Sequence, residues 1–316
     1  MNGVLVIDKP AGPTSHDVVA RVRRVLGARR IGHTGTLDPL ATGVLPLVVG
    51  RATRLAALLG GTDKEYLADV RFGAATPTYD ADSLMMADPE TGLPLMPAPP
   101  EPPGLTREAI ERALPEFVGN GWQVPPPFSA KKVDGVRAYT RARRNQPVAL
   151  RPVRVTVHRA AFEVYAAGVA RIRLACSGGY YVRSFAHDLG GRLGCGAYLE
   201  RLQRTRAGDF TLEEAVPLER LEQEGPAGAL RLIPLERLLP GLPGIVLNEQ
   251  GVRRASHGNT VSFEDITSAP AGLGSRQGGA LAAAEQPLRL LDASGMLLGI
   301  AQVEAGGLLH PVIVLV

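Results

Sequence analysis

The chain has 316 residues, 45% of them hydrophobic and 21% charged, with a formal net charge of +4 and two cysteines. That composition fits a globular protein with room for one large domain and one small one, and no apolar run approaches the ~20 residues of a membrane span. "MNGVLVIDKP" has no basic leader and no cleavage pattern, and Cys176 and Cys195 lack CxxC partners and histidines at ligand spacing. A cytoplasmic protein with two thiols and no metal site is therefore expected.

The charge is segregated. Between Lys131 and Arg206 there are 16 Lys or Arg against four acids, leaving 19 basic and 27 acidic residues elsewhere. Such a basic segment is the footprint of a polyanion partner, and guanidinium forks suit phosphate oxygens.

In chain order, "GVLVIDKPAG" reads as a strand running into a Pro/Gly turn. "TSHDVVARVRRVLG" reads as a helix capped by Ser15, with Val18, Val22, Val25 and Leu26 on its apolar stripe. The glycine-rich loop "RRIGHTGTLDPLATG" follows, then the buried strand "VLPLVVG" and the helix "RATRLAALLGG". "KEYLADVRFG" alternates strictly, with Tyr66, Ala68, Val70 and Phe72 on one face.

"TYDADS" opens a Pro-rich excursion that runs to Gly104. Thr106 caps an amphipathic helix. "WQVPPPFSAKKVDGVRAYTRARR" begins extended and turns basic and helical. "VRVTVHRAAFEVY" and "VARIRLACSGGYYVRSF" are strands, and "SFAHDLGGRLG" is a short helix. After about residue 240 the pattern becomes short strands with glycine turns around the loop "SAPAGLGSRQGGALAAAEQ", a small all-β module.

Asp38 stands before Pro39 in the glycine-rich loop, and the local residues leave its purpose open: turn chemistry, or a loop built to hold a carboxylate. Pro39 drives Asp38 toward extended backbone, while Gly32, Gly35 and Gly43 let the chain turn and another molecule approach. Burial beneath a substrate would raise a carboxylate's pKa, so a buried nucleophile needs a cation. Arg183, just after "GGYYV", is the candidate. At roughly 4 Å and an effective dielectric of about 20, such a pair is worth about 4 kcal/mol before desolvation. Tyr66 reads either as core or as a tyrosine able to stack on a base. His33 reads as a turn histidine or an RNA contact, and Tyr181 and Leu202 as core or rim.

"GHTGTLDPLATGVLPL" closely resembles the catalytic-loop motif of the bacterial TruB-type tRNA pseudouridine synthases. "GVLVIDKPAGPTSHDVV" is similar to the family's KPxGxTS segment, "KEYLADVRFG" with "TYDADS" to its second motif, "PPPFSAKKVDGVRAYTRAR" to its PPxYSAxKxxGxxxYxxAR stretch, and "CSGGYYVRSFAHDLGGRLGCGAYLERLQR" to its SxGTYIR region. Together these cover most of residues 2–206 in family order.

The resemblance implies a mixed α/β (α+β) fold: a catalytic domain over 1–240 with a central, mostly antiparallel sheet flanked by helices, and a small C-terminal β-barrel-like PUA-type domain over 241–316. It implies that Asp38 is the nucleophile, Arg183 its ion-pair partner, and Tyr66 the residue that packs on the target base and helps move its proton. His33, Tyr181, Leu202, Asp80, Lys132 and Arg143 are implied substrate-binding or supporting residues. Lys9 and Pro10 would brace the catalytic loop. The substrate is expected to be tRNA, held at its T loop and acceptor stem, with no cofactor, no membrane, no obligate protein partner and a monomeric enzyme.

Phe128, Tyr180 and Pro77 depart from the family's usual Tyr, Thr and Asp. Residues 40–43, "LATG", favour the stand-alone bacterial type over guide-RNA-dependent synthases of ribosomal RNA, which typically carry KVTG. A guide-RNA-dependent synthase of ribosomal RNA and a non-catalytic tRNA-folding or binding protein are the alternatives.

Overall fold

The computed structural model describes residues 1–84, 99–129, 131–133, 136–137, 150–270, 286–304 and 307–316. Its larger sheet contains β1 (Gly3–Lys9), β2 (Ile31–His33), β3 (Ala41–Val49), β4 (Lys64–Phe72) and β5 (Gly119–Gln123). A ribbon of β6 (Lys132–Val133) and β7 (Val136–Arg137) stands apart. The sheet continues with β8 (Val153–Ala166), β9 (Val169–Cys176), β10 (Ala197–Ala207), β11 (Phe210–Thr211) and β12 (Val216–Pro217).

The strand order is β12-β1-β3-β10-β4-β9-β8-β5, with β2 on β3 and β11 on β10. All pairings are antiparallel except β1–β12 and β3–β10. The mixed architecture and mostly antiparallel sheet expected from the sequence are therefore present. β4 shows why: Tyr66, Ala68, Val70 and Phe72 all turn inward, into a core shared with Val18 and Val22 of the first helix.

That helix, α1 (Ser15–Leu26), is capped by Thr14 rather than by Ser15. Thr14 and Asp17 form a reciprocal capping box, which satisfies two helix-start donors at once. Ser15 is freed for another task and is fully buried. The expected helix over "RATRLAALLGG" is a 3₁₀ turn, Gly50–Leu55, leading into α2 (Ala56–Gly60). α3 (Arg107–Ala113) starts from its expected cap, Thr106, and α4 (Val182–Arg192) follows "GGYY". α5 (Leu218–Glu224) packs beside α1.

Between Lys132 and Arg137 the chain forms the small ribbon. The helix expected beyond it, residues 85–98 of the Pro-rich tract and residues 271–285 of the C-terminal loop all lie outside the described residues.

The C-terminal strands are β13 (Gly244–Leu247), β14 (Ile266–Ser268), β15 (Leu288–Leu291), β16 (Leu297–Val303) and β17 (Leu309–Val314), in the order β14-β13-β15-β16-β17. They are not alone, as the all-β reading required: α6 (Glu249–Ser256) interrupts them. Asn248 caps it by accepting from the Gly251 amide at 2.9 Å, and Gly251 and Ala255 turn inward. The glycine that reads as a turn residue is instead a close-packed helix position.

Leu297, Ile300 and Leu315 share one core with Val4, Val44 and Phe210 of the larger sheet. A close crossing lies where β3 runs parallel to β10. Gly43 there has φ +95°, and a Cβ would lie 2.3 Å from the Arg204 carbonyl oxygen. Gly43→Ala is therefore expected to lower the unfolding free energy by at least about 2 kcal/mol, read as a reduced midpoint in urea denaturation.

Candidate active site

A cavity of about 830 Å³ opens where the Asp38 loop, the start of β4, the loop after β4, the start of α4 and the second half of β10 converge. Asp38, Tyr66, Asp80, Tyr181, Arg183 and Leu202 all line it, so six of the residues singled out in the sequence are brought together.

Arg183 organises this wall from the first turn of α4, where it is buried. Its Nη2 donates to Asp38 Oδ1 at 3.0 Å, and its Nε lies 2.9 Å from Asp38 Oδ2, off the N–H axis. Nη1 donates to the Thr78 carbonyl at 3.1 Å and stands 3.3 Å from Asp80 Oδ2. Nη2 also donates to the Phe128 carbonyl at 3.0 Å. At Phe128 the group that serves the site is the main chain, which the Tyr-to-Phe departure leaves untouched.

The Arg183 side chain is 7% exposed and that of Asp38 is 32% exposed. One end of the pair is dry and the other faces the cavity. Asp80 is buried, and burial pushes its carboxyl up to about 6 against the pull of Arg183 and the Thr78 hydroxyl.

The loop bearing Asp38 is tied down by donors from three other elements. Lys9, fully buried, gives its ammonium to the carbonyls of Pro10 (2.9 Å), Pro39 (3.3 Å) and Ala41 (2.7 Å). The bracing role expected of Lys9 is thus visible as three hydrogen bonds. Ser15 Oγ donates to the Leu37 carbonyl at 3.0 Å and accepts from its amide at 2.8 Å. Arg204 on β10, also buried, donates to Val44 (2.7 Å) and Gly35 (3.1 Å) carbonyls.

Arg204 stands directly opposite Tyr66 in the β4–β10 register. Burial raises the Tyr66 hydroxyl's pKa, and the guanidinium of Arg204, hydrogen-bonded to it, pulls the other way. Because guanidinium has only donors, the Tyr66 oxygen is the acceptor of that bond.

Tyr181 is pinned by Gln123, whose side chain accepts from the Tyr181 amide at 2.8 Å and donates to its carbonyl at 2.9 Å. Gln123, Ser15, Lys64 and Arg204 were not singled out as site residues from the sequence. Gln123, Ser15 and Arg204 act on partners 22 or more residues away in the chain. Lys64 instead donates to the nearby Gly60 and Thr62 carbonyls, and its buried place in the β4 alternation is a local signal.

His33 ends β2 and does not line the cavity; His16 does, and the two rings meet edge to face at 5.4 Å. Burial, His16 and Arg204 lower the His33 pKa. Lys132 is described only as backbone in the small ribbon, and Arg143 lies outside the described residues.

The basic segment is partly neutralised: Arg171 pairs with Asp69, Arg173 with Glu163, Arg192 with Glu116 and Arg206 with Glu65. Arg151, Arg154, Arg159 and Arg201 are exposed and have no carboxylate partner among the described residues. Among those residues, no group of three or more His, Cys, Asp or Glu side chains could hold a metal ion.

Burial lowers Lys9 to about 8 from 10.5. Between those values the unfolded chain binds more protons than the folded one, so this group's contribution to stability rises with pH. The stability difference between wild type and Lys9→Met should therefore grow from pH 8 to pH 10.5 in urea titrations. The comparison cancels Cys176, whose raised pKa of about 12 works in the opposite sense. A pH-independent difference would contradict this account.

Two family models match the chain: the N-terminal domain of the TruB family pseudouridylate synthases over residues 23–182, and the C-terminal domain of tRNA pseudouridylate synthase B over residues 183–239. A protein of Solibacter usitatus named tRNA pseudouridine synthase B is 40% identical over 317 residues, covering all of both chains. One of the same name from Symbiobacterium thermophilum is 44% identical over 261 residues, 82% of each. Among solved structures, the archaeal box H/ACA sRNP Nop10–Cbf5 complex aligns with a TM-score of 0.70 at 23% identity, over 99% of this chain and 86% of that one, a likeness of fold. With this coverage by relatives, by family models and by the motifs around Asp38, the chain belongs to the TruB family of pseudouridylate synthases.

Proposed function

We propose that this enzyme isomerises uridine to pseudouridine at position 55 in the T loop of tRNA, with Asp38 as nucleophile. The observation that carries the reading is the partly exposed Asp38 carboxylate, fixed on a buried Arg183 at the mouth of a cavity large enough for a nucleotide. The names of the relatives support tRNA as the substrate.

In this reading the target uridine leaves its stack, at a cost of a few kcal/mol, and enters between Tyr66 and Leu202. Asp38 attacks the nucleoside and the N1–C1′ bond breaks. The base rotates while bound, C5 joins C1′, the C5 proton leaves and N1 takes up a proton. Reactant and product are isomers. Tyr66, with its oxygen held by Arg204, offers a hydroxyl proton to the base edge. Arg183 holds the departing carboxylate in place for the next turnover. RNA loops are read by shape and splayed bases, and the exposed arginines 151, 154, 159 and 201 would hold phosphates. The C-terminal sheet, read as a PUA-like unit, would hold the acceptor-stem side.

Purified chain and unmodified tRNA, with no partner protein or guide, should release the C5 hydrogen of one uridine per tRNA. No release would sink the enzymatic reading of this chain alone. Asp38→Asn should bind tRNA with unchanged affinity and lose at least about 10³-fold in single-turnover rate; retained turnover would refute the nucleophile assignment. Arg154→Glu with Arg159→Glu should weaken tRNA binding and flatten its salt dependence, the log–log slope falling by roughly one for each phosphate no longer neutralised. An unchanged slope would remove these residues from the RNA surface.

A further inference from the structure

Tyr79 holds φ +63° between Thr78 and Asp80, a left-handed conformation that a bulky L-residue rarely adopts. Both of its main-chain groups are committed: its amide donates to the Thr76 carbonyl at 3.1 Å and its carbonyl accepts from the Leu199 amide at 3.0 Å. Its ring lies face to face on His187, with centroids 3.8 Å apart and planes 10° from parallel. His187 Nδ1 is buried with no hydrogen-bond partner among the described residues, so the imidazole is held by stacking.

The placement matters because His187 is four residues after Arg183, one turn along the same helix face. Thr78 and Asp80, the neighbours of Tyr79, meet Nη1 of Arg183 through a carbonyl and a carboxylate. The segment 78–80 therefore grips α4 at two successive turns, once through the guanidinium and once through the stacked rings. Neither Tyr79 nor His187 lines the cavity. Tyr79 also sits two residues after Pro77, where the family pattern usually has an Asp.

We propose that the Tyr79–His187 stack is a clamp that sets the register of residues 78–80 on α4, and so aims Arg183 at Asp38. Both are positioning residues, and the inference rests on the isomerase reading above. The strained backbone at Tyr79 is what the clamp maintains: an outlier persists only where its surroundings over-determine it. Without the ring contact, the loop can relax away from Arg183, and the guanidinium loses the partners that fix its plane.

The test is single-turnover C5-hydrogen release from tRNA, alongside tRNA affinity, thermal unfolding and NMR titration of the Asp80 carboxyl. Tyr79→Gly removes the ring while tolerating the backbone angle; His187→Ala removes the other ring. Each should slow the rate roughly 10-fold to 100-fold with affinity within about twofold of wild type, and the double variant should be no slower than the slower single. His187→Phe, which can restore a stack, should recover the rate to within about threefold. The Asp80 titration in Tyr79→Gly should move down from about 6 as the segment becomes better solvated. Wild-type rates in both singles, multiplicative losses in the double variant, or loss of affinity alone would each overturn the clamp. If wild type itself proves inactive on tRNA, the isomerase reading fails, and the clamp is judged by the Asp80 titration, which an unchanged midpoint would refute.

Discussion

A guanidinium buried at the start of a helix must find every one of its hydrogen-bond partners in the protein, and Arg183 draws together four separate segments. Asp38 comes from the catalytic loop, Thr78 and Asp80 from the loop after β4, Phe128 from the chain after β5, and the arginine itself from α4. No one of these segments is positioned by its neighbours in sequence. An unpaired buried charge is strongly destabilising, so the folded state that places all four around Arg183 is strongly preferred over any that leaves one away. The same requirement that completes the fold at this end therefore also assembles the chemistry. Burial holds the drier of the two carboxylates, Asp80, well above the ordinary carboxylate range against the pull of Arg183, while Asp38 keeps its exposed edge.

The loop bearing Asp38 is fixed on the other side by an alternating set of contacts. The carbonyls of Gly35, Leu37, Pro39 and Ala41 are taken by Arg204, Ser15 and Lys9, and the Gly12 amide adds a second bond to Pro39. Every second carbonyl along the loop is anchored, and Asp38 lies in the middle of the series. Lys9 and Arg204 have no carboxylate within ion-pair distance among the described residues; they direct their charge at main-chain oxygens instead. That leaves the loop's surroundings electropositive while Asp38 pairs with Arg183, an arrangement already organised in the folded protein.

This division explains what could be read from the sequence. Asp38, Tyr66 and Arg183 were legible because each carries a local mark: Asp-Pro among glycines, an aromatic in a strict alternation, an arginine at the close of an apolar strand. Family order then supplied the partnership. The sheet was legible for the same reason, since β4 and β9 announce themselves by period two. Ser15 was misread as a cap because Thr14 and Ser15 offer the same hydroxyl, and only Leu37, 22 residues away, decides which is free. α6 was missed because a short capped helix whose only apolar residues are Val252 and Ala255 has too little apolar surface to show a period. Gln123 and Arg204 had no local mark: their work is done across β5 and β10 on partners that only the folded sheet brings near. His16 likewise reached the cavity wall through the placement of α1 rather than through any motif of its own.

The two sheets also constrain each other through that framework. Val4 and Val44, on β1 and β3, pack in one core with Leu297, Ile300 and Leu315 of the C-terminal sheet, and Arg54 donates to the Val314 carbonyl. β1 and β3 are also the strands that carry Lys9 and Ala41, the anchors of the Asp38 loop. A continuous apolar core of this kind resists hinge motion far more than a polar interdomain contact would. An RNA held on the C-terminal sheet would therefore be registered, through two strands, against the Asp38 carboxylate. Binding energy gained far from the reacting uridine could then hold that uridine, unstacked, beside Asp38.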